Sequence, residues 1–573
     1  MKKVLAWMLA AVWVWMSVAA QAEEGRGGLN ADSVGYRFSW EEGFQEGYCG
    51  FMRDGKYGFV DQEGHVIQEP EWDDLRPFQG GFAVVGKRSE SGAEVEMRYG
   101  VIDTEGRVVV EPVWDRVVLP EEGDQCGLAA VCGLNQKWGY VDLTGRVVID
   151  PVYNDPYKIS GYRYGFADGK RWLFEGEMIW ADWTPTVYHG IWRYVDCEGR
   201  VLIEGDFDEA GAFSEGVCPV SVGGQYGYMD ENGEMVLPPQ WERAWGFVDG
   251  YAQVKKDGKW GLIDHEGQCV LACQYGDIEY CGNGTYIVLD GEVVDEEWDV
   301  REGKHGIYRM GEGMILDVEW DGIEFEQRYW GEPVAVEDMR FEVTKNEKSG
   351  MLDGNMRMLT PPEWDWIGMV DQRYMTAVRG EKEYVLDDQG NIAFGPGEYA
   401  VLCVMENVAV VRTYGNQADG EWSGYGFVNT KGEQIGESWD KFICQLGGNL
   451  ALVRGDMVAG QRECYVVDGS TGQVVSDRRW AIFGDSNMMA VVEYEPFDGE
   501  YIGEYLLQRG AWMPAKEMTD RGQGKWGYVD LLTGKTAMEP AWDQATMFSE
   551  DRAWVEKEGL WYVIDGKGNV LGQ

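Results

Sequence analysis

Apolar residues along this chain fall in short alternating runs, each closed by glycine, aspartate or proline. In 216–241, GVCPVSVGGQYGYMDENGEMVLPPQW, an apolar run leads through a glycine turn into an aromatic-Gly step and a second run ending at Asp230. A D-x-x-G turn and a third apolar run follow, closing on proline and Trp241. The segment 250–275, GYAQVKKDGKWGLIDHEGQCVLACQY, sets down the same parts in the same order 34 residues later. Alternation with period two predicts β-strands, and the Gly and Asp-Gly steps between runs predict tight hairpin turns. Each such unit reads as a three-stranded antiparallel meander.

The aromatic-Gly step recurs at Tyr57, Tyr99, Trp138, Tyr226, Trp260, Tyr425 and Trp526, with degenerate copies at Trp192, His305, Ser349, Glu383, Cys464 and Trp561. D-x-x-G recurs at Asp61, Asp103, Asp142, Asp196, Asp230, Asp264 and Asp387. This self-similarity predicts about thirteen units, with insertions or eroded copies at 155–190, 276–300 and 484–520. In KWGYVD, present at 137–142 and again at 525–530, Trp138 and Tyr140 point to one face of a strand, Gly139 and Val141 to the other. Glycine beside a large aromatic leaves room for a neighbouring ring or backbone. The Asp of D-x-x-G can accept backbone N–H groups within its turn, while Gly takes the positive φ that closes it. One meander cannot bury its own aromatic face, so the units must stack.

The pattern K-W-G-[YF]-[VI]-D, then G-x-[VI]-[VI], then P-x-[WY]-[DE], resembles the WG-repeat family, a bacterial family of tandem β-repeats. The likeness spans roughly 40–573 and is weakest over 276–420. It implies an all-β repeat scaffold, usually without assigned catalytic activity. Whole units in one phase from Trp40 to the C-terminus favour an open superhelical array, with one or two closed propellers as the alternative. Trp-Asp pairs at 72, 114, 320, 364, 439 and 542 invite comparison with WD40 repeats, but the partner Gly-His signature is missing.

Composition sharpens this picture. Glycine accounts for 80 of 573 residues, about twice the usual share, as short strands joined by turns require. Residues 1–22 depart from the pattern: Lys2 and Lys3 precede an apolar stretch, Val4–Ala19, and Ala20-Gln21-Ala22 fits a cleavage site. This predicts a secretory signal peptide, followed by a linker at 23–39 and the array at 40–573. The expected address is outside the cytoplasmic membrane: secreted, surface-associated or periplasmic, with no membrane insertion after cleavage. The full chain carries 50 basic and 100 acidic residues, a net charge of −50. Such a field repels phosphate backbones, so nucleic acid is not an expected partner. Of the eleven cysteines, Cys126 with Cys132 and Cys269 with Cys273 stand close enough in sequence to pair.

The search for chemistry returns little. The four histidines, His65, His189, His265 and His305, form no H-x-x-x-H or H-E-x-x-H pair, and His305 occupies an aromatic slot of the repeat core. There is no G-x-S-x-G elbow, Walker loop or C-x-x-C pair. No catalytic, metal or cofactor residue is assigned. The periodic aromatics read as core. Those outside the register, Trp180, Trp183, Tyr188, Trp330 and Trp366, are the candidates for stacking on a ligand. The expected function is an exported, non-enzymatic scaffold for a protein or cell-surface partner. A glycan- or cell-wall-binding protein is the alternative, and a glycoside hydrolase resting only on abundant carboxylates comes last.

Overall fold

The computed structural model describes residues 28–35, 43–89, 96–121, 123–155, 164–181, 184–295, 300–326, 335–371, 373–414, 422–458, 461–476, 480–482, 512–517, 525–530, 535–546 and 548–571. Among them lie twelve antiparallel sheets following one another along the chain, most of them four-stranded. One eight-stranded sheet joins two consecutive units. The tandem array of β-meanders expected from the sequence is therefore the architecture. The chain divides into two compact units: one holds 1–119, 405–427 and 434–573, the other 120–404 and 428–433.

The second repeat shows how the sequence builds a sheet. Phe82–Ser89 and Glu96–Asp103 pair as a long hairpin, and Val108–Trp114 adds the next strand. The units differ from the expected three strands by one. Immediately before the hairpin, Asp74–Leu75 pairs with Gly86 and Val85 as a two-residue edge strand. The same short edge follows the Trp-Asp step at Gly322–Phe325, Trp366–Met369 and Gln544–Ala545, and the Trp241-Glu242 step at Arg243–Ala244. Connections only a few residues long place that segment against the next hairpin, where its backbone groups find partners.

The aromatic-Gly step has a steric cause. The register slips at these glycines, between Tyr99 and Val101 in the second repeat and between Trp138 and Tyr140 in the third. A Cβ on Gly100 would stand 2.4 Å from the Val110 carbonyl oxygen, and one on Gly139 2.3 Å from that of Ile149. The approaching group is thus the backbone of the next strand, just before a proline. The D-x-x-G turns form as expected: Asp142 Oδ1 accepts the N–H groups of Thr144 and Arg146, and Gly145 sits at φ +86°. The same turn forms at Asp353, where Met356 at φ +62° replaces glycine.

Both faces of the central strand are buried. Trp138 and Tyr140 on one face and Val141 on the other are all at most 3% exposed. Sheets stack so that the aromatic face of one repeat covers the small-residue face of the next. Tyr57, Phe59 and Trp72 of the first repeat pack on Leu75, Phe78, Ala83, Val85 and Ile102 of the second. Tyr226, Tyr228, Leu237 and Trp241 pack likewise on Ala244, Phe247, Ala252, Val254 and Ile263. His305 is a buried core ring, and burial lowers its pKa.

The longer spacings have a simple origin. Lys170–Ala181 with Thr184–Asp196, and Thr285–Asp295 with Val300–Arg309, are extended versions of the first hairpin. Insertions at 155–190 and 276–300 thus lengthen a hairpin and leave the stacking intact. The third, 484–520, falls almost wholly outside the described residues, as does the signal-like segment 1–22. Among the described residues no helix is long and apolar enough to cross a membrane.

The chain's two ends meet. Leu29 exchanges backbone hydrogen bonds with Trp561, donating at 2.7 Å and accepting at 3.0 Å. Ser33–Val34 forms the edge strand of the first sheet. The stretch read as a linker, 23–39, therefore contributes its residues 28–35 to the sheets. Trp554, Trp561 and Val563 of the last repeat pack on Phe44, Cys49, Phe51 and Val60 of the first. This is the same face-to-face relation that joins consecutive repeats. Whole units in one phase therefore do not keep the first and last repeats apart.

Cysteine pairing differs from the sequence expectation. Among the described residues a disulfide joins Cys126 to Cys197 across 71 residues, and Cys132, Cys269 and Cys273 stand outside it. Neither sequence-adjacent pair forms, because Cys132 lies within a buried strand and Cys269 and Cys273 share one strand.

Candidate functional site

The recurring polar residues are used inside the repeats. The Lys of the KWG step reaches the Asp of the Trp-Asp step in the same unit: Lys56 Nζ lies 2.7 Å from Asp73 Oδ1, and Lys304, Lys348 and Lys525 bond Asp321, Asp365 and Asp543. The other oxygen of the same carboxylate takes an N–H of the following hairpin: Arg88 near the end of its first strand for Asp73, and the turn residues Gly380 for Asp365 and Glu558 for Asp543. Burial raises the pKa of Asp73, but the Lys56 hydrogen bond and the Arg88 N–H outweigh it and hold the carboxyl below its usual range. The Trp-Asp pairs are thus structural clasps between two strands and a turn.

A second clasp links neighbouring repeats. In the step Phe-x-[Glu/Asp]-Gly the acidic residue lies in a tight turn with positive φ, as at Glu46, Glu215 and Asp249. Glu46 accepts the N–H groups of Gly80 and Gly81 one repeat further on, each at 2.7 Å. Glu215 accepts that of Gly250. Glu550 of the last repeat accepts the N–H of Gly47 in the first at 2.7 Å, so the same hook joins the chain's ends. The signal was present in the sequence as FQEGY, FSEGV, FVDGY and FSEDR.

What remains free to differ is the outer row of each edge strand. Three residues after the aromatic that closes the third run, the side chain is buried at Leu75, Val117, Ala244, Ile278, Ile323, Ile367 and Ala545. Among the positions flanking it, Arg76, Arg116, Arg243, Trp245, Glu324, Trp366 and Gln544 are exposed and differ in chemistry, whereas Asp74 and Gly368 are buried. Trp366, chosen from its place outside the register, is 49% exposed there. Trp245, two residues beyond Arg243, was not singled out, although it is 58% exposed. Its ring lies parallel to that of Trp260, at an interplanar angle of 7° and a centroid distance of 6.3 Å. Lys255 Nζ stands 5.7 Å from the Trp260 ring centroid.

The side chains of the other aromatic candidates lie outside the described residues. Trp180 and Tyr188 lie in the lengthened hairpin, paired in register with Pro185 and Met178; their side chains are outside the described set. Trp183 and Trp330 lie outside the described residues altogether. Ligand-type atoms of Asp61, Glu63 and His65 fall within 4.8 Å of one another. Turn bonding accounts for that grouping, since Asp61 Oδ1 accepts the N–H groups of Glu63 and His65.

The family model described as "WG containing repeat" matches residues 57–89, 99–138, 138–168, 192–226, 226–260, 260–292 and 526–561. No curated protein matches the chain. Among solved structures, one titled as the eukaryotic initiation factor is similar at 12% identity and a TM-score of 0.28, over 62% of this chain and 95% of that one. The tricorn protease is similar at 11% identity and a TM-score of 0.20, over 86% of this chain and 60% of its own. A protein of unknown function from Bacteroides caccae is similar at 11% identity and a TM-score of 0.16, over 46% of this chain and 90% of its own.

Proposed function

Since the chain is a WG-repeat protein, we propose that it works as an exported, non-enzymatic scaffold whose edge-strand row binds a protein or cell-surface partner. One observation carries this reading. The ionisable residues that recur are held in clasps and turns, while chemical variety gathers on one outward row that repeats from sheet to sheet. A row of exposed, mutually different side chains on short edge strands offers both backbone and side-chain partners to an extended ligand. Export is supported by the signal-like segment 1–22 and by the Cys126–Cys197 bridge, since disulfides persist in oxidising compartments.

Glycan binding is the second reading, favoured by exposed Trp245, parallel to the half-buried Trp260, and by Trp366. Flat aromatic faces in water are suited to stacking on sugar rings. The two readings separate in one experiment. The chain lacking residues 1–22 is used as bait against surface proteins and on a glycan array, beside a Trp245→Ala/Trp366→Ala variant. The scaffold reading expects a recovered protein partner at physiological salt, retained by that variant. Glycan signal lost in the variant would establish the second reading instead, and silence in both arms would overturn both.

A further inference from the structure

A cleft of about 590 Å³ opens beside the second repeat, where arginines gather against the charge of the whole protein. Arg76 comes from the outer row of the second repeat's edge, Arg116 from that of the third, and Arg98 from the strand between them. Arg98 is already engaged: its guanidinium bonds Glu96, lies 3.6 Å from Asp115 Oδ1 and donates to the Met97 carbonyl at 3.1 Å. Arg76 and Arg116 form no ion pair among the described residues, although acids outnumber bases two to one in the chain. Arg76 instead lies over Tyr99, its guanidinium carbon 5.3 Å from the ring centroid. Among the described residues of the lining, three guanidinium groups stand against two carboxylates, a local excess of positive charge within a chain of net charge −50.

We propose that this cleft binds a small molecule through an oxyanion, a phosphate or carboxylate group, held between Arg76 and Arg116. Arginine presents its donors in a planar fork that meets such oxyanions two at a time. Arg98 is pinned by Glu96 and Asp115 and lines the cleft beside them. The ring of Tyr99 holds the Arg76 plane, so less side-chain freedom is lost when the anion arrives. The surrounding negative field repels anions at long range. Binding therefore depends on these short-range contacts, and selectivity falls on a ligand small enough to enter the cleft. The proposal rests on this cleft alone and is independent of the export and partner readings.

The test is calorimetric titration of the full chain lacking residues 1–22 with inorganic phosphate and, separately, with succinate, in dilute buffer free of other oxyanions. Saturable binding of either probe at one site is expected. Phosphate alone would mark a phosphorylated ligand, succinate alone a carboxylate ligand, and both a general oxyanion site. Arg76→Gln and Arg116→Gln should each weaken binding tenfold or more. Arg146→Gln, which alters an exposed arginine paired with Asp142 in a turn elsewhere, should leave it unchanged. Arg76→Lys keeps the charge without the fork and should weaken binding with the melting temperature unchanged, which separates recognition from folding. No saturable heat with either probe up to about 10 mM, or unaltered binding in both glutamine variants, would overturn the proposal.

Discussion

A single carboxyl shows how position decides chemistry in this protein. Glu342 occupies a buried site on a central strand, directly opposite Glu324 in the register. Burial pushes its pKa up to about 7; the Ser349 hydrogen bond opposes this, and the carboxylates of Glu324 and Glu326 add to it. The folded state thus holds this proton more tightly than the unfolded chain does. Stability is full below the ordinary glutamate range near 4.5 and is lost as pH rises through about 7. Glu342→Gln should remove that loss, stabilising the protein at pH 8 by about 1–2 kcal/mol while changing little at pH 4.5. Thermal melts of both proteins across that range are the check, and parallel pH profiles would contradict the assignment.

At the scale of the element, the repeat was largely legible. The alternation, the D-x-x-G turns and the aromatic-Gly step all form as their local chemistry requires. Gly139 makes the strongest case, because a Cβ there would stand 2.3 Å from the Ile149 carbonyl oxygen and 2.7 Å from Pro151 N. Both atoms belong to backbone held in a sheet, so neither can move aside cheaply. Gly139→Ala should therefore cost roughly 3 kcal/mol, read as a lowered denaturation midpoint with an unchanged far-ultraviolet spectrum. The edge strand was not legible, since two residues after Trp-Asp carry no alternation long enough to register. Nor were the clasps: Lys56 and Asp73 stand 17 residues apart, a separation that acquires meaning only once the hairpin folds back. Trp245 was missed for a related reason. Its exposure depends on a two-residue strand whose direction the local pattern does not reveal, whereas Trp366 stood out because a second tryptophan follows Trp364 so closely.

At the scale of the whole chain, phase along the sequence proved a weak guide to whether the ends approach. The first unit and the last share the phase of the others, yet residues 28–35 reach both sheets. Leu29 pairs with Trp561, Ser33–Val34 edges the first sheet, and the Glu550 hook and the Phe44–Trp554 stack repeat the joints used between consecutive units. Short stretches such as GGLNADSV carry too little pattern to be read as strands, so their role emerges only from their partners, Phe51 and Met52 in the first sheet and Trp561 in the last. The account's central claim is that the last repeat is covered by the first just as the first is covered by the second. Hydrogen exchange of the segment 552–565 tests this directly, by comparing a chain that begins at residue 23 with one that begins at residue 36. The account predicts that removing residues 23–35 strips protection from Trp561 and its neighbours, while repeats such as 217–275 keep theirs. Equal protection of 552–565 in the two chains would contradict it.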